Sequence, residues 1–204
     1  MTIEAVVFDL GGVILDSPLD AIAAFEQRHS IRPGSINRHV FASGSGGAWA
    51  RHERGEVGHA EFLAMFRSEF ESAGIDVDTA ELMADIDTSI RVRPEMLLAV
   101  DRLRNRGIRV AALTNNWTPF GPEGLAAHFD VVVESVVEGT RKPESRIYEI
   151  CIERLGVAPA ACVMLDDLGP NLKPALAMGM RTVKVTSVAQ ALAELEAIFG
   201  PLTS

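Results

Sequence analysis

Four separate segments of the sequence carry residues whose chemistry suits a metal ion or a phosphate. These residues are Asp9, Thr114, Asn115, Lys142, Asp166 and Asp167. Three carboxylates brought to one place repel one another unless a metal ion or a lysine compensates their charge. Magnesium binds such carboxylates and completes its coordination with water and phosphate oxygens. The residue types therefore predict a magnesium and phosphate site, if the fold brings the four segments together.

Short apolar runs rich in β-branched residues precede most of these segments, and they are typical of strands buried on both faces of a parallel sheet. Five strands are predicted, over residues 5–8, 109–113, 131–133, 162–165 and 182–185. Helical patterns alternate with them, notably over 94–105 and 144–155, each followed by a glycine that can end the helix, Gly107 or Gly156. The alternation predicts an α/β fold, a three-layer sandwich with a mainly parallel, Rossmann-like sheet. Because ligands bind beyond the carboxyl ends of parallel strands, we expect the candidate residues to meet there.

The alternation is interrupted once, between residues 16 and 93, where the pattern is helical throughout. Apolar residues at helical spacing predict two buried faces, one with Leu19, Ile22, Ala23 and Phe25 and another with Phe62, Leu63, Phe66 and Phe70. We therefore expect an inserted helical cap over 16–93, with the α/β core formed by residues 1–15 and 94–204. The glycine-rich stretch 42–49 lacks the lysine and the preceding strand of a phosphate-binding loop and is predicted to be a flexible turn.

The composition limits the kinds of partner that we expect. The 204 residues are 48% hydrophobic and carry a net charge of −9, which disfavours binding to nucleic acid or to an anionic membrane surface. No apolar stretch approaches the length of a membrane span, and the N-terminus has no signal-peptide pattern. A soluble, cytoplasmic protein with a small-molecule partner is therefore expected. Cys151 and Cys162 lie in apolar patterns and are predicted to be buried thiols, and the sequence leaves the oligomeric state open.

Taken together, the motifs resemble those of the haloacid dehalogenase superfamily, in the same order along the chain. Asp9 follows "VVF", Thr114 lies in "LTNN", Lys142 in "RKPESRIY", and the pair Asp166 and Asp167 in "MLDDLGPN". The segments "RKPESRIYEICIERLGV" and "LDDLGPNLKPALAMGM" are similar to one branch in particular. That branch contains the N-terminal phosphatase-like domain of soluble epoxide hydrolases and the related domain preceding some acyl-CoA dehydrogenases. The resemblance covers the whole chain and places the helical insertion where that superfamily has its small cap.

The resemblance implies a Mg²⁺-dependent phosphomonoesterase that forms an aspartyl-phosphate and acts on a small phosphorylated metabolite. Asp9 would be the nucleophile, and Lys142 would offset the charge of Asp9 and of the phosphate. Thr114 and Asn115 would donate hydrogen bonds to the phosphoryl oxygens. The metal ligands would be Asp9, the backbone carbonyl of Gly11, Asp166 and, directly or through a water, Asp167.

Gly11 departs from the pattern of this superfamily, whose phosphatases carry a second aspartate two residues after the first. That aspartate protonates the leaving group and then activates water, and general acid–base help of this kind is typically worth about 10² to 10⁴ in rate. A glycine retains the backbone carbonyl that a metal needs but supplies no proton. We therefore expect intact metal and phosphate binding with weak turnover. The alternative is a catalytically impaired regulatory module that binds phosphate and metal.

Two acids near the predicted cap are candidates for the missing proton donor. Asp16 stands where the chain enters the cap and is interpreted as a hinge residue, and Glu53 in "WARHERGEV" as part of a solvated helix face. The cap arginines Arg51, Arg54 and Arg67 are expected either to meet a second anionic group of the substrate or to solvate the helices.

Two other activities of the superfamily fit the residues less well. Phosphonate hydrolysis uses a cap lysine that forms a Schiff base, and residues 16–93 contain no lysine. Dehalogenation needs no metal, so the adjacent acids Asp166 and Asp167 are not expected in such a site. The phosphatase and the regulatory module are therefore the two hypotheses that remain.

Overall fold

A five-stranded parallel sheet forms the centre of the protein in the computed structural model, which describes residues 2–202. The strands lie in the order β3–β2–β1–β4–β5. They span Ala5–Phe8 (β1), Arg109–Thr114 (β2), Val131–Glu134 (β3), Cys162–Asp166 (β4) and Arg181–Lys184 (β5). Every residue of β1 and β4 is buried, as expected for apolar runs that are covered on both faces.

Helices connect these strands and cover both faces of the sheet. The α-helices are α1 (Pro18–Arg28), α2 (Ser35–Ser43), α3 (Ala48–Glu53), α4 (His59–Ser72), α5 (Thr79–Ser89), α6 (Pro94–Asn105), α7 (Ser135–Glu138), α8 (Ser145–Leu155), α9 (Gly169–Ala177) and α10 (Val188–Phe199). Short 3₁₀ helices lie at Gly44–Gly46, Gly124–His128 and Pro159–Ala161. Within the described residues, no helix combines the length and the apolar character that crossing a bilayer requires.

Strand β1 shows how the layers form. Val6 and Phe8 pack with residues of α6 and α10 on one face of the sheet. Ala5 and Val7 pack with residues of α8 and α9 on the other face. Successive side chains of a strand point to opposite faces, so one short apolar run contributes to both cores. The predicted three-layer α/β sandwich with a parallel sheet is confirmed.

Two strands extend one residue beyond the predicted limits and so include a candidate site residue. Thr114 is the last residue of β2 and pairs with Glu134 of β3. Asp166 is the last residue of β4 and pairs with Lys184 of β5. The sheet itself therefore fixes the backbone of both residues.

Helices α1–α5, named here the helical insertion, enclose a hydrophobic core of their own. That core includes Phe25, Ile36, Phe62, Phe66, Phe70, Leu82 and Ile86. The prediction that Ala23 belongs to the buried face of α1 is wrong, because Ala23 is exposed. The buried stripe runs through Ala21, Ile22 and Phe25, and each residue turns the helix by about 100°. The predicted flexible turn over 42–49 is instead the end of α2, a 3₁₀ turn and the start of α3.

The two chain connections of the helical insertion run side by side. Leu15 and Val92 form an antiparallel bridge. The N–H of Asp16 donates to the carbonyl of Arg91 at 2.9 Å, and the N–H of Arg93 donates to the carbonyl of Ile14 at 2.8 Å. The helical insertion therefore leaves and rejoins the core at one place, close to the end of β1.

Candidate active site

A buried lysine joins two of the predicted acidic residues at the carboxyl edge of the sheet. Asp9 directly follows β1, Asp166 ends β4, and Lys142 precedes α8. The ammonium nitrogen of Lys142 lies 2.8 Å from Asp9 Oδ1 and 2.8 Å from Asp166 Oδ2. Lys142 is only 1% exposed, so its charge is neutralised inside the protein and not by water. The fold thus brings together residues from three distant segments.

Burial shapes the ionisation of this cluster. Loss of solvent raises the pKa of Asp9 well above its usual range, and the attraction of Lys142 offsets this only in part. Burial by itself lowers the pKa of Lys142, but Asp166 and Asp9 together outweigh that effect and raise it. Lys142 is therefore a permanently charged ammonium group at neutral pH, held between two carboxylates.

Asp166 is held rigidly by donors from the following turn. Its Oδ1 accepts the N–H of Leu168 at 2.8 Å and a hydrogen bond from Asn171 Nδ2 at 3.1 Å. Asn171 Nδ2 also lies 3.2 Å from Asp166 Oδ2. Asn171 is not among the predicted site residues, although its place five residues after Asp166, in the first turn of α9, was a usable signal. Its amide fixes the orientation of the carboxylate that Lys142 contacts.

The neighbouring acid, Asp167, has room for its carboxylate because residue 12 is a glycine. Gly12 has a φ of +75°, and a Cβ atom at this position would lie only 2.2 Å from Asp167 Oδ2. Asp167 Oδ2 lies 3.5 Å from the hydroxyl of Ser17. Burial, with a further contribution from Asp166, raises the pKa of Asp167 to about 6. Only glycine combines the required backbone conformation with room for this carboxylate.

The three carboxylates form a donor set that fits a divalent cation. Ligand oxygens of Asp9, Asp166 and Asp167 lie within 4.8 Å of one another. When all three carboxylates are ionised beside one ammonium group, two negative charges are left for a cation to balance. Hard oxygen donors of this kind suit Mg²⁺ better than a soft metal. The residues present therefore fit the predicted magnesium ion.

The predicted phosphate-binding residues adjoin Lys142. Asn115 Oδ1 accepts the N–H of Lys142 at 2.8 Å, and Asn115 Nδ2 donates to the carbonyl of Lys142 at 3.0 Å. This two-point contact, which the sequence analysis did not foresee, fixes the backbone of Lys142 beside β2. Thr114 is buried, and its hydroxyl makes a long contact of 3.4 Å with the carbonyl of Asn115. Hydrogen bonds from Thr114 and Asn115 to a phosphate stay a prediction.

A cavity of about 510 Å³ lies between this sheet edge and the helical insertion. On the sheet side its lining includes Asp9, Gly11, Asn115, Lys142 and Asp167. On the other side the lining is mainly apolar, with Leu19, Ile22, Val40, Phe41 and Trp49. Trp49 also packs edge to face against Trp117, in the loop after β2, with 5.5 Å between ring centroids. The acidic cluster therefore faces a largely apolar chamber.

Comparison with known proteins shows the family of the chain. The family model of haloacid dehalogenase-like hydrolases matches residues 3–179, which is most of the chain. The chain belongs to this family. Two relatives match almost its whole length. The chain is 35% identical over 204 residues to acyl-CoA dehydrogenase family member 10 of Mus musculus. It is 30% identical over 218 residues to bifunctional epoxide hydrolase 2 of Sus scrofa. The matches cover 97% and 98% of this chain but only 19% and 39% of those proteins.

A solved structure shows the same haloacid dehalogenase-like fold. It is that of HAD family enzyme bt-2542 from Bacteroides thetaiotaomicron, in complex with magnesium and inorganic phosphate. The two folds agree with a TM-score of 0.61 over 89% of this chain and 93% of that chain, at 21% sequence identity. The predicted resemblance to the superfamily, and to the branch with the epoxide hydrolase domain, is confirmed.

Gly11 is the position at which this haloacid dehalogenase-like hydrolase departs from the predicted motif pattern. Gly11 lies at the cavity, and its φ is not in the left-handed region. A Cβ atom there would lie 3.3 Å from Pro18 Cδ, so the proline ring would have to move by a few tenths of an ångström. The acid downstream, Asp16, has a side chain that is 45% exposed and pairs with Arg93 at 3.4 Å. Among the described residues Asp16 does not line the cavity, and it lies at the junction with the helical insertion.

The other acid, Glu53, does line the cavity of the hydrolase. The interpretation of Glu53 as part of a solvated helix face is wrong, because it is only 6% exposed. Its Oε1 accepts a hydrogen bond from Trp49 Nε1 at 3.0 Å, while Oε2 accepts one from Arg141 Nε and a longer one, 3.4 Å, from Asn115 Nδ2. Burial raises the pKa of Glu53, and Arg141 offsets the rise only in part. The short helix α3 ends against the core, which is why its last residue is buried.

The three candidate arginines of the helical insertion all pair with carboxylates. The pairs are Arg51 with Glu56 at 3.2 Å, Arg54 with Glu144 at 3.1 Å and Arg67 with Asp78 at 3.9 Å. In the described part of the chain, the cavity lining contains a different arginine, Arg141, and no other. The sequence analysis did not identify Arg141, although it directly precedes Lys142.

Proposed function

We propose that this hydrolase is a Mg²⁺-dependent phosphomonoesterase that acts on a small phosphorylated metabolite through an aspartyl-phosphate. The observation that carries the proposal is the position of Lys142, 2.8 Å from both Asp9 and Asp166 at the end of a cavity. Phosphoryl transfer is catalysed mainly by positioning and charge neutralisation, which a carboxylate nucleophile beside a buried cation provides. The magnesium and phosphate bound by the related enzyme of Bacteroides thetaiotaomicron support the same chemistry.

In this mechanism an oxygen of Asp9 attacks phosphorus, and the bond between phosphorus and the ester oxygen breaks. Lys142 offsets the charge of Asp9 and of the phosphate, while Thr114 and Asn115 donate hydrogen bonds to the phosphoryl oxygens. Water then hydrolyses the aspartyl-phosphate, which releases phosphate and restores Asp9. Since Gly11 offers no proton, the leaving oxygen takes its proton from solvent, and turnover is expected to be weak.

Magnesium has a defined set of candidate ligands in this proposal. They are Asp9, the carbonyl of Gly11, Asp166 and Asp167. When bound there, the ion supplies positive charge beside the phosphoryl oxygens. Asn171 orients the carboxylate of Asp166 for this task, and the missing side chain of Gly12 leaves room for Asp167.

The helical insertion is proposed to act as a cap domain over residues 16–93 that encloses the leaving group. Its side of the cavity contributes Leu19, Ile22, Val40, Phe41 and Trp49. Such a lining binds an apolar group through burial of its surface and offers few polar partners. A phosphomonoester with an apolar leaving group therefore fits the chamber best.

A phosphatase assay over a broad panel, with and without Mg²⁺, tests the proposal. We expect phosphate release that depends on magnesium, and Asp9→Asn should reduce it by about 10⁴-fold or more because the nucleophile is lost. Asp16→Asn, at an acid outside the cavity, is the matched control and should retain turnover. The second candidate function, the regulatory module favoured by Gly11, predicts that calorimetry detects Mg²⁺ and phosphate binding in a protein that releases no phosphate.

A further inference from the structure

Glu53 places a negative charge on the mainly apolar side of the cavity. Among the described residues it is the only charged side chain that the helical insertion contributes to the lining. Both of its carboxylate oxygens accept hydrogen bonds, Oε1 from Trp49 on the same helix and Oε2 from two residues of the core. A buried carboxylate held in this way is fixed in position and carries its charge at one defined point of the chamber.

The partner of Glu53 is the only arginine in the described lining of the cavity. Arg141 is 20% exposed at its side chain and directly precedes Lys142. Its Nε donates to Glu53 Oε2. A guanidinium group binds carboxylates and phosphates through parallel hydrogen bonds, so an unpaired Arg141 would be a receptor for a second anion. Paired with Glu53, it adds no net charge to the chamber.

The ion pair is also tied to the catalytic end of the cavity. Asn115 Nδ2 lies 3.4 Å from Glu53 Oε2, and the same amide makes the two-point contact with the backbone of Lys142. The position of Arg141 relative to a bound phosphate is therefore fixed. An anionic group on the substrate that reached Arg141 would meet a guanidinium group whose charge Glu53 already balances.

We propose that Glu53 is a specificity-determining residue, which neutralises Arg141 and so restricts the site to phosphomonoesters with an uncharged leaving group. The inference rests on the proposed function, because it assigns the substrate class of the same site. Removal of the Glu53 charge leaves Arg141 free to bind a leaving group that carries a carboxylate. The structure also separates this role from that of a proton donor. Three hydrogen-bond donors occupy the two oxygens of Glu53, so proton transfer would first require the ion pair to open.

A pair of matched substrates tests the proposal, phenyl phosphate and 4-carboxyphenyl phosphate. The parent should have the higher kcat/KM with phenyl phosphate. In Glu53→Gln, which keeps the shape of the side chain, the ratio of kcat/KM for the carboxylated substrate to that for phenyl phosphate should rise about tenfold or more, as expected for one charge-assisted bidentate contact. Glu61→Gln, an exposed cap residue with the same charge change, is the matched control and should keep the parent ratio.

A double variant isolates the role of Arg141. Adding Arg141→Gln to Glu53→Gln restores a chamber without net charge at this point, and the ratio should return toward that of the parent. An unchanged ratio in folded Glu53→Gln would overturn the inference. So would an equal loss of kcat on both substrates together with loss of one limb of the pH profile, because that result marks Glu53 as a proton donor.

Binding of phenylphosphonate and 4-carboxyphenylphosphonate, measured by calorimetry, separates this inference from the proposed function. If the parent hydrolyses no phosphomonoester, the phosphatase proposal fails. A preference for phenylphosphonate that shifts toward the carboxylated ligand in Glu53→Gln would still support the role of Glu53. If turnover occurs but neither the kinetic nor the binding ratio moves, only the inference fails. A parent that binds neither phosphonate contradicts both.

Discussion

At the sheet edge, charged residues from distant segments neutralise one another in buried contacts, whereas the interior of the helical insertion is filled by aromatic and aliphatic side chains. Lys142 joins Asp9 and Asp166 on one side of the cavity. Phe62 and Phe66 stack with 5.1 Å between ring centroids in the other region. The first arrangement depends on exact partners, because a buried charge without its partner is strongly unfavourable. The second arrangement depends on the volume and shape of its side chains, and such a core tolerates hydrophobic substitutions that conserve volume.

The difference indicates a division of tasks between the two regions. Strand ends fix the backbone of the residues proposed for catalysis, so that their geometry is set by the sheet. The helical insertion meets the core through its paired connections and through two ion pairs, Arg141 with Glu53 and Arg54 with Glu144. Changes in the helical insertion are therefore expected to alter which substrate fits, and changes at the sheet edge to alter the chemical step.

The largest expected gain in rate comes from Gly11→Asp, which adds a candidate proton donor to the sheet edge. Turnover should rise by about 10² to 10⁴, the usual contribution of general acid–base catalysis. The backbone permits the change, because φ of Gly11 is not positive and the nearest contact of a new Cβ atom is Pro18 Cδ at 3.3 Å. Steady-state kinetics on the best substrate measures the gain.

Gly11→Asn is the matched control for this variant, since it has the same shape but no acidic proton. It should fold and bind Mg²⁺ and phosphate as the aspartate variant does, without the gain in rate. If Gly11→Asp folds and binds both ligands but turns over no faster than the parent, the absent aspartate does not limit this hydrolase.

The next effect concerns the stability of the sheet edge. Lys142→Met should lower the free energy of unfolding by about 3–5 kcal/mol, because it leaves two buried carboxylates without their shared cation. Denaturant unfolding followed by circular dichroism measures this loss. Lys173→Met, at an exposed position on α9, is the control and should change the stability by less than about 0.5 kcal/mol. Equal stability of the two variants would mean that Lys142 contributes no more than a surface charge.

The smallest effect lies in the helical insertion and concerns His52. This residue is 5% exposed and stacks on Phe62 at 4.2 Å, and burial lowers its pKa below the ordinary 6.5. Unfolded His52 binds a proton below that pH while the folded residue resists it, so its contribution to stability is complete above pH 6.5 and is lost as the pH falls. The free energy of unfolding of His52→Phe should therefore decline less than that of the parent between pH 7.5 and 5.5.

Denaturant unfolding at both pH values gives the comparison. The phenyl ring has no ring nitrogen, so the variant also loses the contact between Nδ1 and the carbonyl of Val57, at 3.3 Å, but that loss is the same at both pH values. Parallel pH profiles of parent and variant would show that His52 does not couple protonation to folding.

The sequence predicted the sheet edge well because local signals marked it. Each apolar run defined a strand, and an ionisable or polar residue at its end had to lie at the carboxyl edge. The contact of Lys142 with two acids followed from charge balance once these ends were placed together. Asn171 supports Asp166 and Gly12 leaves room for Asp167. Both lie in or next to the predicted motifs, but neither residue is charged, so charge balance could not identify them.

The residues between the two regions could not be predicted in the same way. The contact of Glu53 with Arg141 spans 88 positions of the chain, and it depends on how the helical insertion packs against the core. Helical periodicity defines which side of α3 is apolar, but not which core residue its last turn meets. For the same reason the sequence left Arg51, Arg54 and Arg67 between an anion-binding and a solvating role, whereas the arginine that lines the described cavity is Arg141.

The edge-to-face contact of Trp49 with Trp117 gives the protein an optical signal of its own. These are the only two tryptophans in the chain. One belongs to the helical insertion and lines the cavity, and the other extends from the core to meet it, with 5.5 Å between ring centroids. A change in the distance between the helical insertion and the core would change the environment of both indoles. Intrinsic fluorescence would therefore report such a change without a dye and without an engineered label.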